Sequence, residues 1–378
     1  MILSRPYPDY KALFSSQEVI PEIYSKLSFY SSGRYAMLAG LKLLGVRPKA
    51  VILLPAYICN SLVSVLRESG FRVVFIDIEP NLQLDVDKVV SNIELYDVNV
   101  LVVVHYFGIS CDLHEILIQC RLRGVTLIED CCHSFLTSED GVSIGNVGDA
   151  AIYSLRKTLP ISDGGALQLN KPLLDAPVEV FSSNKSNTFV YLAMRCFERF
   201  IAKSRLVNLY SPFVGRLKRK FFVQSGTNVQ GSIRTSDLLE SMPSFQLKRY
   251  LGNQIYLQNI KSKVISNYQF LTKVGSDDML EAFIPILKPD CVPQWIPFLD
   301  HSEKAVNWLR NRGVGASRWP WHELPSEVKT LEDKYPNSCE LDRKLMLLPV
   351  HQSLKIDDLE KMSFLISEFR CHLRSNQK

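Results

Sequence analysis

From Phe29 to about Leu169, short and nearly unbroken apolar runs alternate with segments in which apolar residues recur at helical spacing. The runs AVILLPA, RVVFIDI, VNVLVVVHYFG, VTLIED and DAAIYSL predict strands. Between them, YAMLAGLKLLG (closed by Gly45), NSLVSVLRESG and DLHEILIQCRLRG predict helices. Strands without a polar alternation are covered on both faces. The expected fold is therefore α/β, a mostly parallel sheet between helices.

After Lys171 the rhythm is lost, and residues 172–235 are irregular, basic and aromatic. A long helical pattern from Ser241 to Lys273 then predicts a connector. Beyond it AFIPILK reads as a strand, and SEKAVNWLRNRG and KIDDLEKMSFLISEFRCHLR read as helices. The expected division is a large domain over residues 1–240 and a smaller α+β domain, with its connecting helix, over residues 241–378. A chain of 378 residues is long enough to need two cores.

Composition changes this picture little. Apolar residues make up 46% and charged residues 22%, as in ordinary globular proteins. The nine cysteines are scattered without paired spacing, which predicts reduced thiols. MILSRPYPDY does not read as an export signal and no apolar stretch is long enough for a membrane span. The expected location is the cytoplasm.

The net charge of +5 is concentrated. Eight basic residues between Arg195 and Lys220 face Glu198 alone, leaving the rest of the chain slightly acidic. No nucleic-acid motif accompanies them, so a nucleic-acid partner is not expected. Large apolar residues such as Phe189, Tyr191, Phe197 and Phe200 are interleaved with that charge. The stretch 189–222 reads either as a solvated or anion-binding helical face or as a peripheral membrane contact.

Ligands of open α/β sheets bind beyond the carboxyl ends of the strands. Those ends carry His105, Glu129, Asp130, His133 and the stretch Ser154 to Lys157. Ser32, Gly33 and Arg34 stand where the first long helix begins, a position whose N–H groups accept phosphate. A phosphate site, a carboxylate and a lysine are what pyridoxal phosphate (PLP) requires: the amine makes the Schiff base and the acid keeps the pyridine nitrogen protonated. Each residue has a plainer reading. Asp130 is a possible helix cap, Lys157 a solvated loop lysine, His105 a satisfied interior histidine and Gly164-Gly165 a turn. GVSIG lacks the strand and helix of a nucleophile elbow, and SLRK lacks the companion motifs of serine acylases. Cys131-Cys132-His133 has no C-x-x-C partner, so no metal is expected.

In order, SSGRYA, VILLPAYICNSLVSVLRESGFRVVFIDIE, HYFGISCDL, LIEDCCHSF, GVSIGNVGDAAIYSLRKTLPISDGGAL and LLPVHQ resemble the DegT-type family of PLP-dependent sugar aminotransferases. The resemblance implies PLP-transferase fold type I. It makes Lys157 the Schiff-base lysine, Asp130 the partner of the pyridine nitrogen and His133 a polar contact to the cofactor ring. Ser32, the backbone of Gly33 and Arg34, and Ser154 would hold the phosphate. Arg318, Trp319, Trp321 and His322, in GVGASRWPWHEL, fall in the family's substrate-facing stretch. The implied reaction moves an amino group from an amino acid such as glutamate to a nucleotide-linked keto-sugar, for cell-surface polysaccharide or secondary-metabolite sugars. The implied assembly is a homodimer sharing its cofactor sites.

Three features depart from the family. Ser154 is closer to Lys157 than the family places its serine. Cys59 stands where an aromatic residue usually stacks on the cofactor, which leaves Tyr57, His105 or apolar packing for that role. The stretch 189–222 has no counterpart. Two other readings remain: a sugar dehydratase, which in this family has histidine in place of the lysine, and a catalytically silent scaffold or membrane-associated protein of the same fold.

Overall fold

The computed structural model describes residues 1–15, 20–161, 164–171, 180–181, 240–241, 244–275, 277–320 and 323–375. In chain order the strands are β1 (Leu27–Tyr30), β2 (Val51–Pro55), β3 (Arg72–Ile76), β4 (Val100–Val104), β5 (Thr126–Asp130), β6 (Ser138–Glu139), β7 (Val142–Ser143), β8 (Ala150–Ser154), β9 (Gly165–Leu169), β10 (Val180–Phe181), β11 (Glu240–Ser241), β12 (Leu280–Ala282), β13 (Trp295–Asp300), β14 (Ser317–Arg318) and β15 (Leu345–Pro349). The helices are α1 (Tyr10–Ser15), α2 (Gly33–Leu43), α3 (Asn60–Glu68), α4 (Val86–Tyr96), α5 (His114–Leu122), α6 (Phe245–Gly252), α7 (Gln254–Thr272), α8 (Ala305–Asn311), α9 (Ser326–Thr330), α10 (Pro336–Lys344) and α11 (Ile356–Ser375).

The central sheet runs β1-β9-β8-β5-β4-β2-β3. Its strands β8, β5, β4, β2 and β3 are parallel, as the apolar runs predict. Every residue of β2, β4 and β8 is buried, which is why these strands show no polar alternation. The strand after β2 lies to one side of it and β4 lies to the other. The carboxyl ends of β2, β4, β5 and β8 therefore flank a point where the winding reverses, the usual ligand position in such sheets.

The Gly164-Gly165 pair is more than a turn. Gly165 opens β9, which runs antiparallel to both neighbours and pairs with Tyr30 and Ser154. A Cβ on Gly165 would stand 2.1 Å from the Ser32 carbonyl carbon. Only glycine lets β9 pass directly beneath the Ser32–Gly33 turn.

The second sheet, β12-β13-β15-β14, is antiparallel throughout. Of the expected strand AFIPILK, only Ala282 is in a strand; Pro285, with no N–H and a fixed φ, is unsuited to continuing the ladder. WIPFLD and LMLLP form the two inner strands instead. The expected connector is two helices, broken at Asn253, whose side chain accepts from Tyr256 N (2.9 Å) and caps α7.

The first residues of the chain join this second unit. Ile2 N donates to Gly313 O (2.7 Å) and Tyr7 N to Ser353 Oγ (3.0 Å). Across the boundary, Asp77 beyond β3 accepts from Asn337 N (3.0 Å) and Ser338 N (2.9 Å) and so caps α10. The core under β2 and β4 continues into Trp295, Trp319 and Leu345. Among the described residues no helix is long and apolar enough to cross a membrane.

Candidate active site

Successive side chains of a strand point to opposite faces, so Glu129 and Asp130 at the end of β5 part company. Glu129 is 1% exposed, whereas Asp130 stays half-buried and accepts from Cys132 N (3.0 Å). On the neighbouring strand, β8 ends at Ser154, and a single 3-10 turn, Leu155–Lys157, carries the lysine. Ser32 precedes α2 in extended conformation, yet its hydroxyl makes no capping bond.

These pieces meet around Cys132. A Cβ on Gly33 would stand 2.9 Å from Cys132 Sγ, which shows how closely the start of α2 approaches the end of β5. Burial, then the Asp130 carboxylate, pushes the Cys132 thiol well above its ordinary range, while the charge of Lys157 opposes that rise. Burial, then the same Lys157 charge, holds His133 well below the ordinary histidine range. His133 is therefore a neutral imidazole. Its Nδ1 accepts from Phe107 N (3.3 Å), so its proton sits on Nε2.

That Nε2 and the Ser32 hydroxyl are buried without a partner. A buried polar atom without a partner is costly, so both suit an acceptor brought by a ligand. The set fits PLP: an N–H for its phenolate oxygen, a hydroxyl and a helix start for its phosphate, a carboxylate for its ring nitrogen and an amine for its aldehyde. Arg34, half-buried, is the second residue of α2, and Ser154 is 4% exposed.

His105 lies on the other side of β5. Its Nε2 donates to Glu129 Oε2 (3.0 Å) and its Nδ1 accepts from Cys111 N (3.0 Å), so both ring nitrogens are engaged. Glu129 also accepts from Gly145 N, Val147 N and Gly148 N (3.1, 2.8 and 2.6 Å). Burial alone would raise the Glu129 pKa, but His105 and the Gly148 and Val147 amides outweigh it and hold the carboxyl below its ordinary value. With Cys131 the two residues have ligand atoms within 4.8 Å of one another. The Cys131 thiol is pushed well above its ordinary range by burial, and the other two donors are committed, which fits a hydrogen-bonded interior rather than a metal centre.

The remaining expected residues are placed as follows. Cys59 is half-buried with its thiol 2.8 Å from Ser61 Oγ. Tyr57 is fully buried and donates to Trp319 O (2.7 Å). Trp319 is 4% exposed and meets Tyr57, Tyr106 and His133 edge-on, with centroids 4.8, 5.5 and 5.5 Å apart. Arg318 donates to Glu303 O (2.9 Å) beside the fully buried Asp300. Trp321, His322 and the stretch 189–222 lie outside the described residues. A cleft of about 530 Å³, lined by Asp9, Tyr256, Lys263 and Gln352 among others, includes none of the expected cofactor-binding residues.

Two side chains near Lys157 were given no role from the sequence. Gln294 Nε2 donates to Lys157 O (3.1 Å) and Gln352 Nε2 to Thr158 O (3.5 Å). Gln352 sits inside LLPVHQ and was within reach of the motif; Gln294, in CVPQW, belongs to none.

The fold is that of the PLP-dependent transferases of fold type I. Residues 28–203 match the model of the DegT/DnrJ/EryC1/StrS aminotransferase family. It is 33% identical over 146 residues to Protein MosB of Rhizobium meliloti, a match covering 38% of this chain and 29% of that protein. It is 22% identical over 350 residues to the dTDP-4-amino-4,6-dideoxy-D-glucose transaminase of Shigella dysenteriae, covering 91% and 86% of the two chains. Helicobacter pylori PseC, an aminotransferase involved in the biosynthesis of pseudoaminic acid, superposes with a TM-score of 0.67 at 14% identity, over 96% of this chain and 97% of that one.

Proposed function

We propose that this protein transfers an amino group from an amino-acid donor, glutamate first among them, to a keto-sugar carried on a nucleotide, for polysaccharide or secondary-metabolite sugars. The observation that carries the reading is the buried, neutral His133 with its unpartnered Nε2 beside Lys157. The family match over residues 28–203 and the transaminase reaction named for the Shigella relative support the substrate class.

PLP, when bound, supplies an electron-withdrawing ring that stabilises negative charge at the carbon next to the transferred nitrogen. Asp130 accepts the ring N–H and keeps that nitrogen protonated. His133 Nε2 donates to the phenolate oxygen, and its depressed pKa keeps it a neutral donor rather than a second cation beside Lys157. Ser32, the start of α2 at Gly33 and Arg34, and Ser154 bind the phosphate. Lys157 Nζ would hold the cofactor through its aldehyde and, as a free amine, would move the proton at the reacting carbon. The buried rings of Tyr57, Tyr106, Phe107 and Trp319 make a dry wall beside His133. Arg318, Trp319, Trp321 and His322 remain the proposed substrate-side residues. We place the enzyme in the cytoplasm, a reading supported by the free state of every described cysteine, and as a homodimer on the family resemblance alone.

The test is a purified protein assayed for 2-oxoglutarate formed from glutamate with a panel of keto-sugar nucleotides. The expected wild type takes up PLP, turns yellow and loses the colour on borohydride treatment with the label on Lys157. A wild type that stays colourless in excess PLP overturns the reading.

A further inference from the structure

The turn that presents Lys157 is short, and a short turn leaves its last carbonyls without internal partners. Thr158 N and Leu159 N both donate to Leu155 O (3.1 and 2.7 Å), so that one carbonyl takes both of the turn's bonds. The next ones are met from the C-terminal unit, Lys157 O by Gln294 and Thr158 O by the longer bond from Gln352.

Gln294 is itself held firmly. Its backbone N–H donates to Phe107 O (2.8 Å). The residues before it form a strap across the Tyr106–Gly108 turn: Cys291 Sγ meets Gly108 O (3.0 Å) and Val292 N donates to Thr137 Oγ1 (3.0 Å), which donates to Gly108 O (3.1 Å). A Cβ on Gly108, which has φ +97°, would stand 2.4 Å from Val292 O, so glycine is required for the strap to lie down. Phe107 in turn donates to His133 Nδ1, and its ring stacks on the imidazole with centroids 5.6 Å apart and planes 9° apart. One residue thus joins the carbonyl of the lysine to the residue that sets the tautomer of the histidine.

We propose that Gln294 is a positioning residue: its amide and backbone together fix Lys157 relative to His133, in place of the support that a longer turn would give its own lysine. This rests on the PLP reading above. It assigns to the C-terminal unit a part in aiming a group of the N-terminal one.

Gln294→Glu keeps the shape and replaces the donor by an acceptor facing a carbonyl; Gln294→Met removes the donor without adding charge and decides the matter if the first variant fails to fold. In cofactor-free protein, hydrogen exchange is expected to quicken in both Leu155–Leu159 and Tyr106–Ile109, two segments far apart in sequence. In PLP-loaded protein kcat is expected to fall by about 10-fold to 10²-fold, as for a displaced reacting group, with KM for the sugar nearly unchanged. The pH at which the visible absorbance band changes is expected to move as well, a readout that simple loss of stability would not shift. A wild type that binds no PLP sinks the functional reading, while the exchange measurement still decides the clamp. A wild type that binds PLP, with both variants matching it in exchange, kcat and absorbance titration, overturns the role of Gln294 alone.

Discussion

Glu129 and Asp130 are neighbours in sequence and opposites in structure. Around Glu129, each carboxylate oxygen and both nitrogens of His105 have hydrogen-bond partners, and the cluster ties β5 to the loop of Gly145–Gly148. Around Asp130, a serine hydroxyl and an imidazole N–H are buried with nothing to bond. The first is a finished piece of architecture; the second is unfinished without a ligand. Residue types alone would not tell them apart, since both clusters hold a carboxylate and a histidine. What separates them is whether the hydrogen-bonding capacity is spent.

That contrast can be broken by substitution. Lys157→Ala is expected to lower amine transfer by at least about 10²–10⁴-fold, while the thermal midpoint of the cofactor-free protein moves by under roughly 2 °C. A large loss of stability would instead make Lys157 part of the architecture. Glu129→Ala should do the reverse. It strands His105 and three backbone N–H groups, and urea unfolding should record a loss of about 3–5 kcal/mol, with PLP uptake retained by whatever fraction remains folded. Asp130→Asn is expected to reduce kcat by roughly 10²-fold with little change in the urea midpoint; equal destabilisation by Asp130→Asn and Glu129→Gln would erase the distinction.

The smallest effect is the dependence on pH. His133 has a folded pKa well below the ordinary 6.5, so below that pH the unfolded chain binds a proton that the folded chain refuses. Its contribution is complete above 6.5 and is lost as the pH falls, by up to about 1.4 kcal/mol per pH unit. Glu129, lowered from 4.5, adds its own loss only below that value. Stability measured between pH 6.5 and 4.5 should therefore fall less steeply in His133→Gln than in wild type; parallel curves would show that His133 titrates normally.

Much of the site was legible because its chemistry sits at strand ends. The runs VTLIED and DAAIYSL end at Asp130 and next to Lys157, and the covered parallel sheet follows from their unbroken apolar character. The second unit was harder. AFIPILK has a strand's composition, yet Pro285 interrupts it, and WIPFLD holds an inner position that its own pattern does not announce. The Gly-Gly pair looked like a turn because a sequence carries no record of Ser32 lying against Gly165.

Local pattern by itself determined the fold class and the order of the motifs and put forward Lys157 and Asp130 as candidates, since these depend on side-chain periodicity and on residue types at the ends of regular segments. Tertiary structure alone decided which carboxylate faces the ligand side, that His105 is consumed by Glu129, that His133 is kept neutral with its proton on Nε2, and that Gln294 reaches the backbone of Lys157 across 137 positions of chain. Those outcomes rest on burial and on partners distant in sequence, and neither is written in the local order of residues.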